Sequence, residues 1–212
     1  MEGEKKELEL ILATTNRGKL KELQNIFEGY PVKLLSLDQL PPVAPCIEDG
    51  NSFLENALKK ALYYSEAYNL PCISDDSGLE VVALGGRPGV HSSRFAGDGA
   101  KDEENNSKLL KELFGVKDRR ARFVCVLCLA LPNGRFRTFE GTVEGEISLE
   151  PKGRQGFGYD PLFDYPPLKR TFAELSAEEK NRVSHRGKAL AQLKEDLPAL
   201  IRWIESNREE GP

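Results

Sequence analysis

Hydrophobic and polar positions along the chain form short apolar runs and helical stripes in alternation, which predicts an α/β protein. The segment LELILATT is an apolar run that ends in small polar residues, so we expect a buried strand leading into a loop. In RGKLKELQNIF the apolar residues recur at helical spacing, while Lys19, Lys21 and Glu22 mark the solvent face. PVKLLSL then predicts a second strand. The chain is therefore expected to open with a βαβ unit whose ATTN turn joins a strand end to a helix start.

A second helix is predicted after the proline-rich connector LPPVAP. Ser52 can cap this helix, and Glu55, three residues on, completes a capping box. Its inner stripe consists of Phe53, Ala57, Ala61 and Tyr64. Next, PCISDD and LEVVAL predict two short strands that meet at Asp76-Ser77-Gly78, and GGRPGVHSSRFAGDGA predicts a long glycine-rich loop without periodicity.

The second half of the chain predicts a helix, a hairpin and a terminal helix. DEENNSKLLKELFG is expected to be a helix that ends at Gly115. RFVCVLCLALPNGRFRTFEGTVEGEI predicts a long β-hairpin that turns at Asn133-Gly134. The tail from Ser184 is expected to be helical, with a break or kink at Pro198. No repeat or linker divides the sequence, so residues 1–212 are expected to form one domain with two lobes.

Composition and charge exclude several classes of protein. Of the 212 residues, 39% are hydrophobic and 30% are charged, which is typical of a globular domain. The net charge is only −4, so the basic excess expected of a nucleic-acid-binding protein is absent. No apolar run approaches membrane-spanning length, and MEGEKKELEL lacks the apolar core of a signal peptide. We therefore expect a cytoplasmic protein that binds neither nucleic acid nor membrane.

Cys125 and Cys128 form a CxxC pair, a spacing that occurs in metal and redox sites. The pair lies in the nearly continuous apolar run ARFVCVLCLAL, which predicts a central strand. Positions three apart in a strand point to opposite faces, so the two thiols are expected to be separated. The interpretation that follows is a pair of small buried hydrophobic residues.

Four segments are polar, glycine-rich or charged where their surroundings are apolar: ATTNRGK, EDG with SDDSGL, GFGYDPLF, and EEKNRVSHRGKAL. The first places Thr14, Thr15 and Asn16 at a helix amino terminus, where free N–H groups and the helix dipole favour an anion. Lys19, one turn along, supplies positive charge. An ordinary helix cap is the alternative interpretation of this segment.

The second segment places Asp75 and Asp76 side by side at the expected strand end. Adjacent carboxylates repel each other, and a divalent cation relieves that repulsion; Mg²⁺ prefers such oxygen ligands when phosphates complete its shell. Glu48 and Asp49, before the second helix, are candidates for a further ligand. The alternative is a turn that faces water.

The third and fourth segments offer groups suited to a nucleotide base and its phosphates. Phe157 and Tyr159 provide stacking surfaces beside glycine backbone, and Asp160 precedes a proline that fixes the turn. Candidate donors to phosphate or to a base carbonyl are Lys180, His185, Arg186 and Lys188, with His91 and Arg94 in the glycine-rich loop as further candidates. A packed loop and a solvated helix start capped by Ser184 are the alternatives.

In this order, the segments resemble the inosine triphosphate pyrophosphatase family, also called the non-standard purine or XTP/dITP diphosphatases. ATTNRGKLKEL is similar to the family's TxNxxK substrate motif, SFLENALKKA to its first long helix, and SDDSGLEVVALGGRPGVHSSRFAG to its catalytic stretch. GFGYDPLF is similar to its base-pocket loop and SHRGKAL to its carboxyl-terminal signature. The similarity spans nearly the whole chain.

The resemblance implies a long, twisted mixed sheet flanked by helices, with two lobes, a nucleotide in the central cleft, and a homodimer. It implies that Asp76 is the general base and a Mg²⁺ ligand, with Asp75 and Glu48 as further ligands. The residues implied to bind a nucleoside triphosphate are Thr14, Thr15, Asn16, Lys19, Ser77, Phe157, Gly158, Tyr159, Asp160, Lys180, His185 and Arg186. Ile47-Glu48-Asp49 departs from the family's usual glutamate pair.

The implied reaction is hydrolysis between the α- and β-phosphorus, which releases a monophosphate and pyrophosphate. Selectivity would come from the six-position of the purine, where a keto oxygen accepts hydrogen bonds and an amino group does not. Two alternatives stay open from the sequence: a pyrophosphatase for modified pyrimidines, and a nucleotide sensor that has lost catalysis.

Overall fold

The structure, a computed structural model, describes residues 7–208. Its strands are β1 (Leu8–Leu12), β2 (Val32–Ser36), β3 (Cys72–Val81), β4 (Arg120–Ala130), β5 (Phe136–Ile147), β6 (Phe163–Tyr165) and β7 (Arg170–Thr171). Its helices are α1 (Arg17–Phe27), α2 (Phe53–Tyr68), α3 (Asp102–Glu112), α4 (Ala177–Val183) and α5 (His185–Arg208). None of these helices is long and apolar enough to cross a membrane.

The seven strands form one mixed sheet in the order β2-β1-β3-β4-β5-β6-β7. β1 is parallel to β2 and to β3, which confirms the βαβ start, and every later pairing is antiparallel. The predicted hairpin is confirmed: β4 and β5 pair along their lengths, from Ala130 opposite Phe136 to Arg120 opposite Glu146. Helices flank this sheet, as the predicted α/β class requires.

β3 is a single ten-residue strand, so the prediction of two short strands meeting at Asp76-Ser77-Gly78 is wrong. Its pairing with β4 runs without interruption from Cys72 to Val81. Gly78 therefore makes no turn. A Cβ there would collide with the Ser92 hydroxyl and would lie 2.8 Å from the Gly89 carbonyl oxygen. The glycine allows close packing of a 3₁₀ helix (Gly89–Arg94), which lies within the segment predicted as an irregular loop.

Hydrophobic residues on the two faces of β4 belong to different cores. Cys125, Leu127 and Leu129 pack with α5 and β1, whereas Val126 and Cys128 pack against α2. This separation of Cys125 from Cys128 confirms the prediction from their spacing. Both are buried free thiols, and burial raises the pKa of each to about 12. They are packing residues and not a redox pair.

The helix boundaries follow the predicted signals with two differences. Ser52 caps α2 by accepting from the Glu55 N–H, but the Glu55 carboxylate accepts from Asn51, one residue before the position that a capping box requires. α5 runs through Pro198 without ending, so of the predicted break or kink the break does not occur. The reason is packing, since the flanking residues Leu197 and Leu200 are buried in one core and hold the helix together.

Candidate active site

The candidate site is centred on β3, where Asp75 and Asp76 point to opposite faces of the sheet. Asp75 contacts residues of α1 and α5, whereas Asp76 contacts Asn56 of α2. The expectation that the two carboxylates lie side by side is therefore wrong. It assumed a turn at this point, and consecutive residues of a continuous strand alternate between the faces.

Asp75 is a buried ion-pair partner of two cations. It is only 5% exposed, and its Oδ2 atom accepts from Lys19 Nζ at 2.5 Å and from Arg186 Nη1 at 2.9 Å. Burial alone would raise the pKa of this carboxyl, but the charges of Lys19 and Arg186 outweigh burial and lower the pKa to about 2. Asp75 is thus a permanent anion that holds two of the predicted substrate-binding side chains.

Arg186 is held from a second side by α1. Its Nε donates to Glu22 Oε2 at 2.6 Å, and its Nη2 is buried without a hydrogen-bond partner among the described residues. The helical pattern of the sequence predicts Glu22 on the solvent face, but the structure places it against Arg186, 164 positions away in the chain. A buried N–H without an acceptor is costly in the protein alone and is a ready donor to a ligand.

Asp76 occupies a different environment on the α2 side of β3. Its Oδ2 accepts from Asn56 Nδ2 at 3.0 Å, and its Oδ1 accepts from the Ser77 N–H at 3.0 Å. Burial raises the pKa of Asp76 to about 6; Glu48 adds to this rise, and Asn56 and Lys60 oppose it. A carboxyl with a pKa near neutrality is suited to take a proton in catalysis.

Glu48 and Lys60 complete the α2 side. Lys60 Nζ donates to Glu48 Oε2 at 2.9 Å, and Arg94 Nη2 contacts the Glu48 carbonyl oxygen at 3.5 Å. Burial would lower the pKa of Lys60, but Glu48, Asp75 and Asp76 outweigh burial and raise it. Lys60 therefore carries its charge beside all three carboxylates. Asp49, the further candidate ligand, lies in an exposed ion pair with Lys59.

The donor set fits Mg²⁺ through Asp76 and Glu48 but not through Asp75. Glu48 raises the pKa of Asp76, which is the repulsion that a divalent cation would relieve. The bonded oxygen of Asp75 is already shared by two cations, and no cluster of three potential metal-ligating side chains occurs within residues 7–208. Mg²⁺ commonly takes one or two carboxylates and completes its shell with water and substrate phosphates, so two carboxylates suffice.

The first polar segment forms the amino end of α1. Asn16 Oδ1 accepts from the N–H groups of Gly18 and Lys19 at 2.9 and 3.1 Å, so Asn16 is the helix cap that was the alternative interpretation. Thr14 Oγ1 accepts from the Asn16 N–H at 3.1 Å, and Thr15 is exposed. The cap fixes the turn that carries Lys19 towards Asp75.

Two adjoining cavities of about 240 and 160 Å³ lie on the Asp75 side of β3. Ser77, Phe157, Lys180 and His185 line both cavities. Lys19, Glu22 and Arg186 line the larger one only. A depression of about 520 Å³ near Arg137 and Trp203 is lined by none of the predicted site residues, so we place the site in the paired cavities.

The GFGYDPLF loop forms one wall of these cavities. Phe157 is 65% exposed at the rim, whereas Tyr159 is buried and its hydroxyl donates to the Ser92 carbonyl at 2.9 Å. Tyr159 is therefore part of the core, although it also lines the smaller cavity. Buried Asp160 accepts from the Phe157 N–H at 2.8 Å and pairs with Lys180, whose ammonium lies 4.6 Å from the Phe157 ring centroid. Gly158, with φ of +61°, lines the smaller cavity.

His185 begins α5 and faces both cavities. Its ring stacks on Phe123 at a centroid distance of 4.7 Å, and its Nδ1 is buried without a partner among the described residues. Burial, together with the charges of Lys180 and Arg186, lowers the pKa of His185 to about 3. The imidazole is therefore neutral at physiological pH and has both a donor and an acceptor nitrogen.

The remaining candidates lie elsewhere, and three functional side chains were missed. Lys188 donates to the Thr142 carbonyl at 2.7 Å, and exposed His91 lines neither cavity. The missed residues are Glu22, Asn56 and Lys60. Asn56 and Lys60 are one helical turn apart and directly precede Ala57 and Ala61 of the inner stripe, a signal that could have revealed both.

Comparison with known proteins gives one consistent result. A sequence model of the Ham1 family matches residues 10–196. A dITP/XTP pyrophosphatase of Desulfotalea psychrophila is 51% identical over 201 residues, covering 95% of this chain and 90% of the relative. One of Geobacter sulfurreducens is 50% identical over 190 residues, covering 89% and 96%. A Ham1 protein structure from Staphylococcus aureus aligns with a TM-score of 0.86 at 42% identity, covering 91% of this chain and 99% of that one.

Proposed function

We infer that this chain, which belongs to the Ham1 family, hydrolyses non-standard purine nucleoside triphosphates to the nucleoside monophosphate and pyrophosphate. Its curated relatives are named for dITP and XTP. The observation that supports roles for particular residues is the difference between the side chains on the two faces of β3. A near-neutral carboxyl lies on one face, and a cavity lined by lysines and unpartnered polar nitrogens lies on the other.

We propose that Asp76 is the general base. Above its pKa of about 6 the carboxylate is ionised and can take a proton from the attacking water. Asn56 and the Ser77 N–H each bond one of its oxygens, which fixes the carboxylate plane while leaving lone pairs available. The attacked bond lies between the α- and β-phosphorus, so pyrophosphate leaves.

Asp76 and Glu48 would hold Mg²⁺, which supplies neutralisation of the phosphate charge when bound. Lys19 and Lys60 add fixed positive charge on the two sides of β3, since both are ion-paired and partly buried. The hydroxyl groups of Thr14 and Thr15, together with the dipole of the helix that Asn16 caps, favour an anion near Lys19. These groups are proposed to bind the triphosphate.

We propose that the purine enters between Phe157 and the start of α5. Neutral His185 and the free Nη2 of Arg186 can donate to a six-keto oxygen, whereas the amino group of adenine would leave these donors unpaired. Discrimination against adenine of about a hundredfold or more is the usual result of such a mismatch. Lys180 and Asp160 hold the loop that closes this pocket.

The test is the initial rate of the purified protein with Mg²⁺ on ITP, dITP, XTP, ATP, GTP and a modified pyrimidine triphosphate, with both products identified. We expect monophosphate plus pyrophosphate from the first three. Orthophosphate as the only product would refute the proposed bond cleavage. A preference for the pyrimidine would refute the purine assignment, and tight binding without turnover would indicate a sensor.

We further propose that the enzyme is a homodimer, acts in the cytoplasm and binds neither nucleic acid nor membrane. The dimer and the location rest on the family resemblance, and the net charge of −4 supports the absence of nucleic-acid binding. Light scattering during size-exclusion chromatography will measure the mass. Competition of turnover by long DNA or RNA would contradict the last part.

A further inference from the structure

We propose that Asp75 and Glu22 are positioning residues that hold the Arg186 guanidinium between them. The Asp75 oxygen that accepts from Arg186 also holds the Lys19 ammonium in position. This inference rests on the proposed function, since it assigns Lys19 to the phosphate end of the cleft and Arg186 to the base end. Neither carboxylate is required to touch the substrate. Each acts by holding a cation that does.

The hydrogen bonds of Arg186 leave one nitrogen for a ligand. Its Nε is taken by Glu22 at 2.6 Å and its Nη1 by Asp75 at 2.9 Å. Its Nη2 has no partner among the described residues and is buried in a side chain that lines the larger cavity. Because the guanidinium is planar, fixing two nitrogens also fixes the direction of the third. The two carboxylates therefore aim the free donor.

The three elements that carry this network are far apart in sequence. Glu22 belongs to α1, Asp75 to β3 and Arg186 to α5. Arg186 is 9% exposed and Asp75 is 5% exposed, so neither charge could be tolerated without its partner. A buried arginine with two carboxylates and one unsatisfied donor is a built site, because a ligand acceptor satisfies the remaining nitrogen.

Asp75 differs from Glu22 because it has a second cation. Its Oδ2 accepts from Lys19 Nζ at 2.5 Å as well as from Arg186. No contact of Glu22 with Lys19 occurs among the described hydrogen bonds, although both residues lie on α1. Loss of the Asp75 charge should therefore disturb both ends of the cleft, while loss of the Glu22 charge should disturb the base end alone.

The experiment measures calorimetric affinities of Glu22→Gln, Asp75→Asn and the parent for inosine monophosphate, adenosine monophosphate and inorganic pyrophosphate with Mg²⁺. We expect Glu22→Gln to weaken the binding of inosine monophosphate about tenfold, which is the effect of losing one charge-assisted bond. The affinity for pyrophosphate should not change. Asp75→Asn should weaken both ligands. Each variant should also reduce the preference for inosine over adenosine monophosphate.

The control is Asp118→Asn, which removes an exposed aspartate paired with Arg120 and should change neither affinity. The double variant, Glu22→Gln with Asp75→Asn, should weaken the binding of inosine monophosphate by less than the product of the two single effects, because both carboxylates act through Arg186. Should Asp75→Asn fail to fold, Glu22→Gln still tests the inference, since Glu22 is one-third exposed.

The inference would be overturned if Glu22→Gln bound both inosine monophosphate and pyrophosphate with the same affinities as the parent. It would also be overturned if the parent bound neither ligand. A higher Mg²⁺ requirement in Asp75→Asn with unchanged affinities would restore Asp75 as a metal ligand. Turnover of ITP by the parent reports on the proposed function separately, because the affinities are measured with products and need no catalysis.

Discussion

The pKa values of two neighbouring aspartates in this protein are shifted in opposite directions. The pKa of Asp75 falls to about 2 and that of Asp76 rises to about 6, although the residues are adjacent. Asp75 is buried and Asp76 is partly buried, and the opposite direction of the shifts comes from the cations: Lys19 and Arg186 bond directly to Asp75, whereas Asp76 has a neutral amide from Asn56. Identical side chains thus acquire separate roles from their partners.

Asp76→Asn should reduce kcat about a thousandfold, within the range for loss of a general base, because an amide cannot take the proton. The fold should remain, since the amide oxygen can still accept from Asn56. Initial rates and circular dichroism measure the two effects. Glu80→Gln is the matched control, as Glu80 lies on the same strand in an ion pair with Arg122. Ordinary activity in Asp76→Asn would refute the base assignment.

His185→Phe should make stability less sensitive to acid. The folded pKa of His185 is lowered to about 3 from an ordinary 6.5, so the unfolded chain binds more protons between these values. Its contribution is complete above pH 6.5 and is lost as pH falls towards 3. At 1.36 kcal/mol per pH unit, the parent should lose about 2 kcal/mol more than the variant between pH 7 and pH 5.

Urea unfolding at the two pH values measures this difference, and the shared carboxylates cancel in the comparison. The phenylalanine can keep the stacking on Phe123 and removes the unpartnered Nδ1. Equal losses in the parent and the variant would contradict the neutral state of His185.

The sequence could predict those site residues whose signals are local. Asn16 and Lys19 were identifiable because a cap and a basic residue one turn on form a short pattern. The Glu22–Arg186 and Asp75–Arg186 pairs join residues 164 and 111 positions apart, and no local pattern reports such contacts. For that reason Glu22 was assigned to solvent and Asp75 to a metal.

At the level of elements, helices and strands were predictable wherever periodicity was strong, and errors occurred where packing overrode a local signal. The β4–β5 hairpin and α2 lie where the pattern placed them. The Ser77-Gly78 pair reads locally as a turn, but continuous pairing with β4 keeps β3 extended. Pro198 reads as a helix break, but a buried apolar face carries α5 past it.

Gly141→Ala should destabilise the protein by about 2 kcal/mol and weaken the binding of substrate in the cleft. A Cβ at this position of β5 would collide with the His185 carbonyl oxygen and would lie 2.7 Å from the Ala189 nitrogen. Backbone atoms cannot rotate away, so the start of α5 must shift, as in other overpacked cores. Denaturation and KM for ITP measure the two effects. Glu144→Ala, an exposed site on the same strand, should be nearly neutral; an equal effect there would contradict the packing argument.

At the scale of the molecule, β4 contributes to three hydrophobic cores. Leu127 packs with β1 and α5, Phe123 packs with Phe163 and Phe172, and Val126 packs against α2. The fold class was predictable from the order of strands and helices. The sharing of one strand among three cores was not, because Leu127 and Phe123 lie on the same face of β4 but are covered by different elements that are distant in sequence.

Because these cores share β4, we expect the whole chain to unfold in one cooperative transition. Trp203, the only tryptophan, packs against the core beneath α5, so its fluorescence reports on that region. Far-ultraviolet circular dichroism reports on all elements. Coincident midpoints would support the predicted single domain, and two separate transitions would contradict it.

Because side chains alternate between the two faces of β3, the role proposed for each residue follows from whether its position in the strand is odd or even. In the proposed mechanism, recognition of the base depends on Asp75, at an odd-numbered position of the strand, and proton transfer depends on Asp76, at an even-numbered one. Substitutions on either face can therefore alter substrate range or chemistry separately. An insertion or deletion of one residue before Asp75 that moves the strand by one register position would move each of the two carboxylates to the opposite face of the sheet. We expect lineages of this enzyme to vary in β3 by substitution and never in its length.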